Sequence, residues 1–515
     1  MTTSGPDAAG IEPPRAAAAE AASPLQAGGL VARNMLALVF SQFVTTPVSI
    51  VVNAVLARSL GAADFGIIYF ANTVLLVAFL FVEWGSQFLA GEVARNRSKA
   101  GELFGAAATQ RMAFAAIVLL LIPHASALFG YDRRVEVVLL LCAGRMAIGS
   151  IGSVCGAMFR GFEKLDWYAR TTVFGNLLEA TVLIPTLLLG GRLRAALIAQ
   201  LVAASVATAV QIALLWRLRI GRPQFNLRAI PALLRGGFGF LVLDLVLRLQ
   251  PYIDVNFLAR LARPEAMGWY SAANRIVGVL LFPATTLSFA IYPTISRLWT
   301  EDRAAYAALV RLALRALAAV GIFAATGTLL FASVPIGILY GAERFGPAAG
   351  NLRILAIYVV LVYASIVLGI AIAAANRQVV YALAQSFCLV VSLVLDPILI
   401  PRFERMAGNG GLGVCTSVAV AETAMVVAGL AILPRGVLDR SLAGTVARAL
   451  GASVGMAAIA WPLRSWPFLA IPLSMAGYLG ILWALGGIDR QIVDLFREAF
   501  RRKGPPRSEG TQQRP

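Results

Sequence analysis

Leu56-Ala57-Arg58, then Gly66, then Ala71-Asn72 close one long apolar run and open the next. The same residues return as Leu258-Ala259-Arg260, Gly268 and Ala273-Asn274, again between two apolar runs. The offset is constant, since 258 − 56, 260 − 58, 268 − 66 and 274 − 72 all give 202. A repeat that holds its register across a helix–loop–helix corner implies two equivalent halves. Parallel halves related by an axis along the membrane normal are one of the transporter architectures, with the substrate site between them. A second corner supports the duplication: Leu128-Phe129-Gly130-Tyr131-Asp132-Arg133 returns as Leu339-Tyr340-Gly341-Ala342-Glu343-Arg344.

Of the 515 residues, 59% are hydrophobic and 14% charged, with a mean hydropathy of +0.78. A soluble domain carries about 25% charged residues. The chain therefore reads as an all-α integral membrane protein. Apolar runs of about 20 residues, each enough for a helical span, recur along almost the whole length. The alternating pattern of a membrane barrel is absent. The net charge of +18 does not form a groove for nucleic acid. Most Lys and Arg fall in loops on the side that holds the termini, which the positive-inside rule places in the cytoplasm. The basic linker and the tail with Arg501-Arg502-Lys503 also suit anionic membrane lipid. Cys142, Cys155, Cys388 and Cys415 lie in or beside apolar runs, with no metal-ligand spacing and no disulfide framework. His124, the single histidine, reads as an interfacial side chain near a helix end.

In order, residues 1–29 form a polar tail rich in Ala, Pro and Gly, with the composition of disorder. Six spans follow, at 34–57, 66–84, 109–129, 135–159, 171–189 and 195–216, within a first lobe over 30–216. Asp64 is placed to cap the second helix. A basic linker, 217–235, carries Arg217, Arg219, Arg222, Arg228 and Arg235. The second lobe, 236–434, repeats the layout with spans at 237–258, 268–295, 310–334, 355–375, 379–400 and 411–433. Two extra spans occupy 435–487 and a basic tail 488–515. The expected fold is thus about fourteen transmembrane helices: two six-helix lobes around a central cavity, plus two C-terminal helices.

No large extramembrane domain exists to hold chemistry, no Walker loop is present, and nothing calls for a cofactor or metal. What stands out is charge at membrane depth, where an ion costs several kcal/mol and normally faces protein or a water-filled cavity. Arg145 lies in span four, Glu179 in span five, Asp244, Arg248 and Asp254 in span seven, and Arg275 in span eight. Asp244 and Arg248 are one turn apart and read equally as a structural ion pair or as substrate contacts. Arg145 and Arg275 lack an acidic partner on their own helices, which favours a functional role, with span four the more peripheral of the two. Asp396 and Glu422 read as structural. Asn53, Asn72 and Asn274 flank the repeated corner and could bind substrate or bond neighbouring helices.

The chain resembles the Wzx-type polysaccharide flippases of the MATE-like multidrug/oligosaccharidyl-lipid/polysaccharide exporter superfamily. The likeness rests on Leu56-Ala57-Arg58-Ser59-Leu60-Gly61 with Phe65-Gly66. It rests also on Asp254 and Leu258-Ala259-Arg260 with Met267-Gly268-Trp269-Tyr270-Ser271-Ala272-Ala273, and on Gly341 with 352–356. The resemblance implies alternating access in a bacterial inner membrane. The implied cargo is an undecaprenyl-pyrophosphate-linked oligosaccharide, moved to the periplasmic leaflet for lipopolysaccharide or exopolysaccharide synthesis and passed to polymerase or export machinery. It also implies cavity arginines that meet the pyrophosphate, Arg275 first among them. Span one carries no charged residue, unlike the lipid II flippases, which argues against a peptidoglycan precursor. The alternatives are a MATE-like multidrug antiporter, for which Glu179, Asp244 and Asp254 would speak, or a membrane polysaccharide polymerase or ligase. Alkaline phosphatase fused to either terminus should be inactive in cells; activity at either end would overturn the cytoplasmic placement of both.

Overall fold

The computed structural model describes residues 24–218, 224 and 227–487. The expected tail up to residue 23, linker positions 219–223 and 225–226, and the basic tail 488–515 lie outside them. Among the described residues the chain is helical, without strands. The first half contains α1 (Pro24–Val82), α2 (Ser86–Arg95), α3 (Ala100–Phe129), α4 (Arg133–Gly161), α5 (Leu165–Leu188) and α6 (Leu193–Arg217). The second contains α7 (Ile230–Leu261), α8 (Pro264–Leu280), α9 (Phe282–Glu301), α10 (Arg303–Phe331), α11 (Ser333–Tyr340), α12 (Ala342–Phe345), α13 (Ala348–Ala374), α14 (Gln378–Ala407) and α15 (Gly411–Ile432). A hairpin, α16 (Arg440–Ala460) and α17 (Pro467–Ala484), ends the described chain. Eleven helices among the described residues are long and apolar enough to cross a membrane. One of them, α1, carries both of the first two expected spans. Expected spans seven and eight fall on α7 and on the α8–α9 pair, outside those eleven.

Three boundaries differ from the sequence reading. The chain is helical from Pro24, inside the stretch read as tail. At the first corner α1 is two helical segments that meet at a sharp break. Gly61 leaves helical geometry at φ 83° and ψ 173° and the helix resumes at once, a conformation that only glycine adopts without strain. Asp64 does not stand ahead of the second segment as its cap: that segment begins straight after Gly61, and Asp64 lies in its first turn, paired with Arg134 of α4. Span eight is broken at Leu281, between α8 and α9, where Pro283 stands in the first turn of α9. Proline has no N–H to give to the preceding turn and clashes with its carbonyl.

The two halves meet where α1 crosses α8. A Cβ on Gly268 would fall 2.0 Å from the Ala62 carbonyl oxygen, and one on Gly66 would fall 2.7 Å from the Gly268 nitrogen and 3.1 Å from the Pro264 oxygen. Ala62 and Pro264 are themselves 202 apart (264 − 62). The contact is thus reciprocal, each glycine seated on the residue four before its counterpart, as a two-fold relation demands. Small residues that let backbones touch are a main means of joining helices in lipid.

The C-terminal hairpin packs on α10. There the Tyr478 hydroxyl donates to the Ala319 carbonyl at 2.9 Å and Thr326 meets Ser453 at 2.8 Å. Outside the membrane segment, Asp439 caps α16 by accepting from the Ser441 amide at 2.9 Å. The Ser441 hydroxyl, with Arg311, holds the Asp439 carboxyl down to about 2. This cap is complete above the ordinary carboxylate range and is lost only as pH falls through about 2. Large apolar side chains such as Leu120 and Leu188 point outward, 71% and 75% exposed, as suits a surface against acyl chains.

The crossing makes a stability prediction. Gly268→Ala should cost about 1–3 kcal/mol by overpacking, seen as a lower melting temperature in detergent. Gly278→Ala on the same helix, with nothing within 4 Å of its Cβ, should be neutral or slightly stabilising.

Candidate functional site

Along the part of α1 away from the corner lies a cavity of about 430 Å³, within the range of small-molecule pockets. Its walls are the end of α1, the turn Glu83-Trp84-Gly85, the start of α2, the middle of α4, Ala204 of α6, and residues 240–248 of α7. The first half contributes Glu83 and Arg145, and the second contributes Asp244 and Arg248. The cavity is therefore polar and holds two cations and two carboxylates. Asp244 and Arg248 make no ion pair with each other among the described residues; both are presented to the cavity. Arg145 is not peripheral, as span four was expected to be. Its Nη2 donates to Asn72 Oδ1 at 2.8 Å, and Asn72 donates to the Ile68 carbonyl at 2.9 Å. Arg145 Nε is buried without a partner.

The turn that carries Glu83 is held from behind by α3. Arg111, 1% exposed, donates through Nη1 to the Ser150 carbonyl and the Ser153 hydroxyl, and through Nη2 to Ser86 Oγ at 2.6 Å. Because Ser153 Oγ accepts from Arg111, its own proton can go to Glu83 Oε1, 3.1 Å away. Gln110 donates to the Val82 carbonyl at 3.2 Å. On the other side the Trp84 indole donates to the Leu234 carbonyl of α7 at 2.8 Å. Both halves thus grip the rim of the cavity.

The remaining candidates lie elsewhere. Arg275 is nearer the corner, its guanidinium carbon 5.4 Å from the centre of the Phe65 ring and its Nε without a partner. Asn274 donates to the Tyr69 hydroxyl at 3.0 Å. Glu179 accepts from Gln200 at 2.8 Å, and Asn53 donates to the Ser49 carbonyl at 2.7 Å, a bond within its own helix. Asp254 belongs to the interior of the second half, where it meets Asp396 of α14. They are 2% and 0% exposed. Asp254 Oδ1 and both Asp396 oxygens lack hydrogen-bond geometry to any donor, although the Ser392 and Ser417 hydroxyls stand beside them. Two carboxylates in such surroundings demand a positive partner, a proton or a cation. Among the described residues no group of three or more His, Cys, Asp and Glu forms a metal-binding cluster.

Residues 31–299, just over half of the 515, match the family model described as polysaccharide biosynthesis protein. The chain belongs to that family. Every cavity residue named above lies inside the matched stretch. Over 296 residues the chain is 24% identical to a proposed O-antigen transporter of Escherichia coli (strain K12), a match that covers 56% of this chain and 70% of that one. In fold it is similar to the lipid II flippase MurJ in an inward closed conformation. The TM-score is 0.69 at 12% identity, over 90% of this chain and 99% of that one. It is also similar to an inward-facing multidrug resistance MATE family transporter of the MOP superfamily, with a TM-score of 0.61 at 16% identity over 75% and 93% of the two chains. At these identities the structures establish the fold: an all-helical, multi-pass membrane architecture of the MurJ and MATE kind.

Sequence reading missed Glu83 and Arg111. The available signal was the break at Glu83-Trp84-Gly85-Ser86, a helix stop with apolar sequence on both sides, which is where a chain leaves the wall to line a cavity. Arg111 and Arg145 should separate in their effects. Arg111→Ala strands several buried polar groups and should cost about 3 kcal/mol or more, read as low membrane levels and early thermal unfolding. Arg145→Ala loses one bond beside the cavity and should cost about 1 kcal/mol.

Proposed function

We propose that this protein moves lipid-linked oligosaccharide across the bacterial inner membrane. The cargo is an undecaprenyl-pyrophosphate-linked polysaccharide repeat unit, carried from the cytoplasmic to the periplasmic leaflet for lipopolysaccharide or exopolysaccharide synthesis. Membership of the polysaccharide biosynthesis family supports the pathway. The observation that carries the reading is the pair of cavity arginines drawn from opposite halves, Arg145 and Arg248.

A pyrophosphate cannot enter hydrocarbon without losing its hydration at prohibitive cost. Guanidinium groups replace that hydration with charge-assisted, forked bonds. Glu83 and Asp244, also on the cavity wall, balance the two cations while the site is empty and offer acceptors to sugar hydroxyls. Gln87 and Ser86 add neutral polar contacts, and Trp84 adds an aromatic surface. The lipid tail stays in the bilayer, and no covalent bond is made or broken. Residues 30–216 and 236–434 act as the two lobes, and they rock about the α1–α8 crossing so that the cavity faces one leaflet and then the other. Both termini and the linker at 217–235 are cytoplasmic, and polymerase or export machinery receives the product on the far side.

Glu83 and Asp244 also give a drug antiporter one supporting observation, since carboxylates in the cavity would suit a cationic substrate. The two arginines oppose it, because each would repel such a substrate.

Complementation of a strain lacking its own flippase tests the proposal, with membrane levels checked by blot. Arg145→Ala and Arg248→Ala should each reduce surface polysaccharide about ten-fold or more, as loss of a charge-assisted bond of about 1.5–3 kcal/mol would give. Arg145→Lys should retain part of the function. Full activity of the Arg145→Ala/Arg248→Ala double variant at normal membrane level would sink the site. Dye resistance that depends on Glu83 and Asp244 would favour the antiporter.

A further inference from the structure

The repeated corner contains two arginines that the cavity does not use. Arg58 and Arg260 occupy the same register, 202 residues apart (260 − 58), and neither lines the cavity. Arg58 stands before the kink of α1 and reaches into the second half. Its Nε donates to the Leu339 carbonyl at 2.9 Å, and its Nη2 to the Ile338 carbonyl and, at 3.5 Å, to that of Gly337. These are carbonyls from the last turn of α11, where only Gly337 also accepts a backbone bond, from the Gly341 amide at 3.1 Å, and they form the negative end of the helix dipole. Arg260 stands at the end of α7 and reaches into the first half. Its guanidinium carbon lies 5.3 Å from the centre of the Phe129 ring, within cation–π range, and its charge stands near the Tyr131 hydroxyl, which donates to Asn256 Oδ1 at 3.4 Å.

The two targets are themselves repeat equivalents. Phe129-Gly130 ends α3 and Tyr340-Gly341 ends α11, in the matching corners found in the sequence. Each half therefore closes its first span with an arginine that holds the later corner of the other half. Between these two contacts lie the Gly66–Gly268 crossing and a cluster of Phe65, Tyr340 and Phe345 with ring centres 5.5 to 6.1 Å apart. The Trp269 indole closes the same face on the Arg344 carbonyl at 2.8 Å. Two residues further along α8, Ser271 is 0% exposed. On this face the molecule is shut.

We infer that Arg58 and Arg260 are twin latches that hold the corner face closed and release together when that face opens. Both are half of a contact between the halves, and both sit at the exposed rim of the molecule. Water can replace carbonyl and ring partners for an arginine there, so release strands no buried charge. The apolar seal beneath has no such substitute, and by itself it would close without a defined release point. The latches depend on the flippase reading only in that this face must open for transport.

The test uses the full chain in proteoliposomes and needs no substrate, so it is decided separately from the flippase reading. Ser271→Cys supplies a reporter behind the closed face. Cys142, Cys388 and Cys415 are changed to alanine, and native Cys155, buried within the first half, stays as the control. A membrane-impermeant maleimide then measures access. Arg58→Ala with Arg260→Ala should speed labelling of the residue 271 thiol about ten-fold, the shift that about 1.4 kcal/mol of closed-state stabilisation gives, with Cys155 unchanged. Arg58→Lys with Arg260→Lys keeps the charges, loses the forked geometry, and should fall between; this pair serves if the alanine variant does not accumulate. Unchanged labelling at residue 271, or an equal rise at 271 and Cys155, overturns the proposal.

Discussion

Backbone contact between Gly66 and Gly268 is the constraint on which the rest depends. In a bilayer, apolar side chains gain nothing by leaving lipid for protein, so helices are joined by close packing and by hydrogen bonds. Here the α1–α8 crossing leaves no room for a side-chain atom, with the Ala62 carbonyl 2.0 Å from where a Cβ of Gly268 would stand. The reciprocal use of Ala62 and Pro264 fixes the register of one half against the other. From that register follow the positions of Phe65 over Arg275, of Tyr69 beside Asn274, and of Asn72 beside Arg145. One limb of α1 thus presents partners to arginines from both halves. Phe65 and Asn72 are seven residues apart, about 10 Å along the helix.

Charges inside a membrane protein are tolerated only where something replaces water, and this molecule supplies the replacement in three ways. Around the cavity the replacement is water itself, since Glu83, Arg145, Asp244 and Arg248 all line an open space. For Arg111 it is a set of hydroxyl and carbonyl acceptors that also ties the turn at Glu83 in place. For Asp254 and Asp396 the protein supplies two neighbouring hydroxyls and, among the described residues, no ion pair. The first arrangement suits a ligand that arrives and leaves, the second suits a fixed joint, and the third leaves a pair whose charge must be met from elsewhere.

The amino-acid sequence by itself determined the membrane class and the position of most spans, and it carried the 202-residue repeat of the corner. Hydropathy and the 202-residue offset are properties of the chain taken one stretch at a time, and lipid enforces them everywhere. It also marked Arg145, Asp244 and Arg248 as costly and therefore purposeful, and all three line the cavity. The polysaccharide resemblance was legible in the Leu-Ala-Arg and Phe-Gly corner. The tertiary structure alone decided what each charge faces. Asp244 and Arg248 look paired on a helical wheel, yet both turn to the cavity, because their neighbours on α1 and α4 leave space there. Glu83 fell unremarked at the end of the second expected span, until α3 and α7 were seen to hold its turn at the rim. Asp64 read as a cap, but the break falls at Gly61, three residues earlier, which puts Asp64 inside the first turn of the next segment. Arg58 and Arg260 read only as marks of a repeat. Their partners lie 279 or more and 129 or more residues away (337 − 58 and 260 − 131), and no local pattern encodes such a distance. Periodicity records which residues a helix can afford to show to lipid; the identity of the group on the facing helix is set only when the two halves pack.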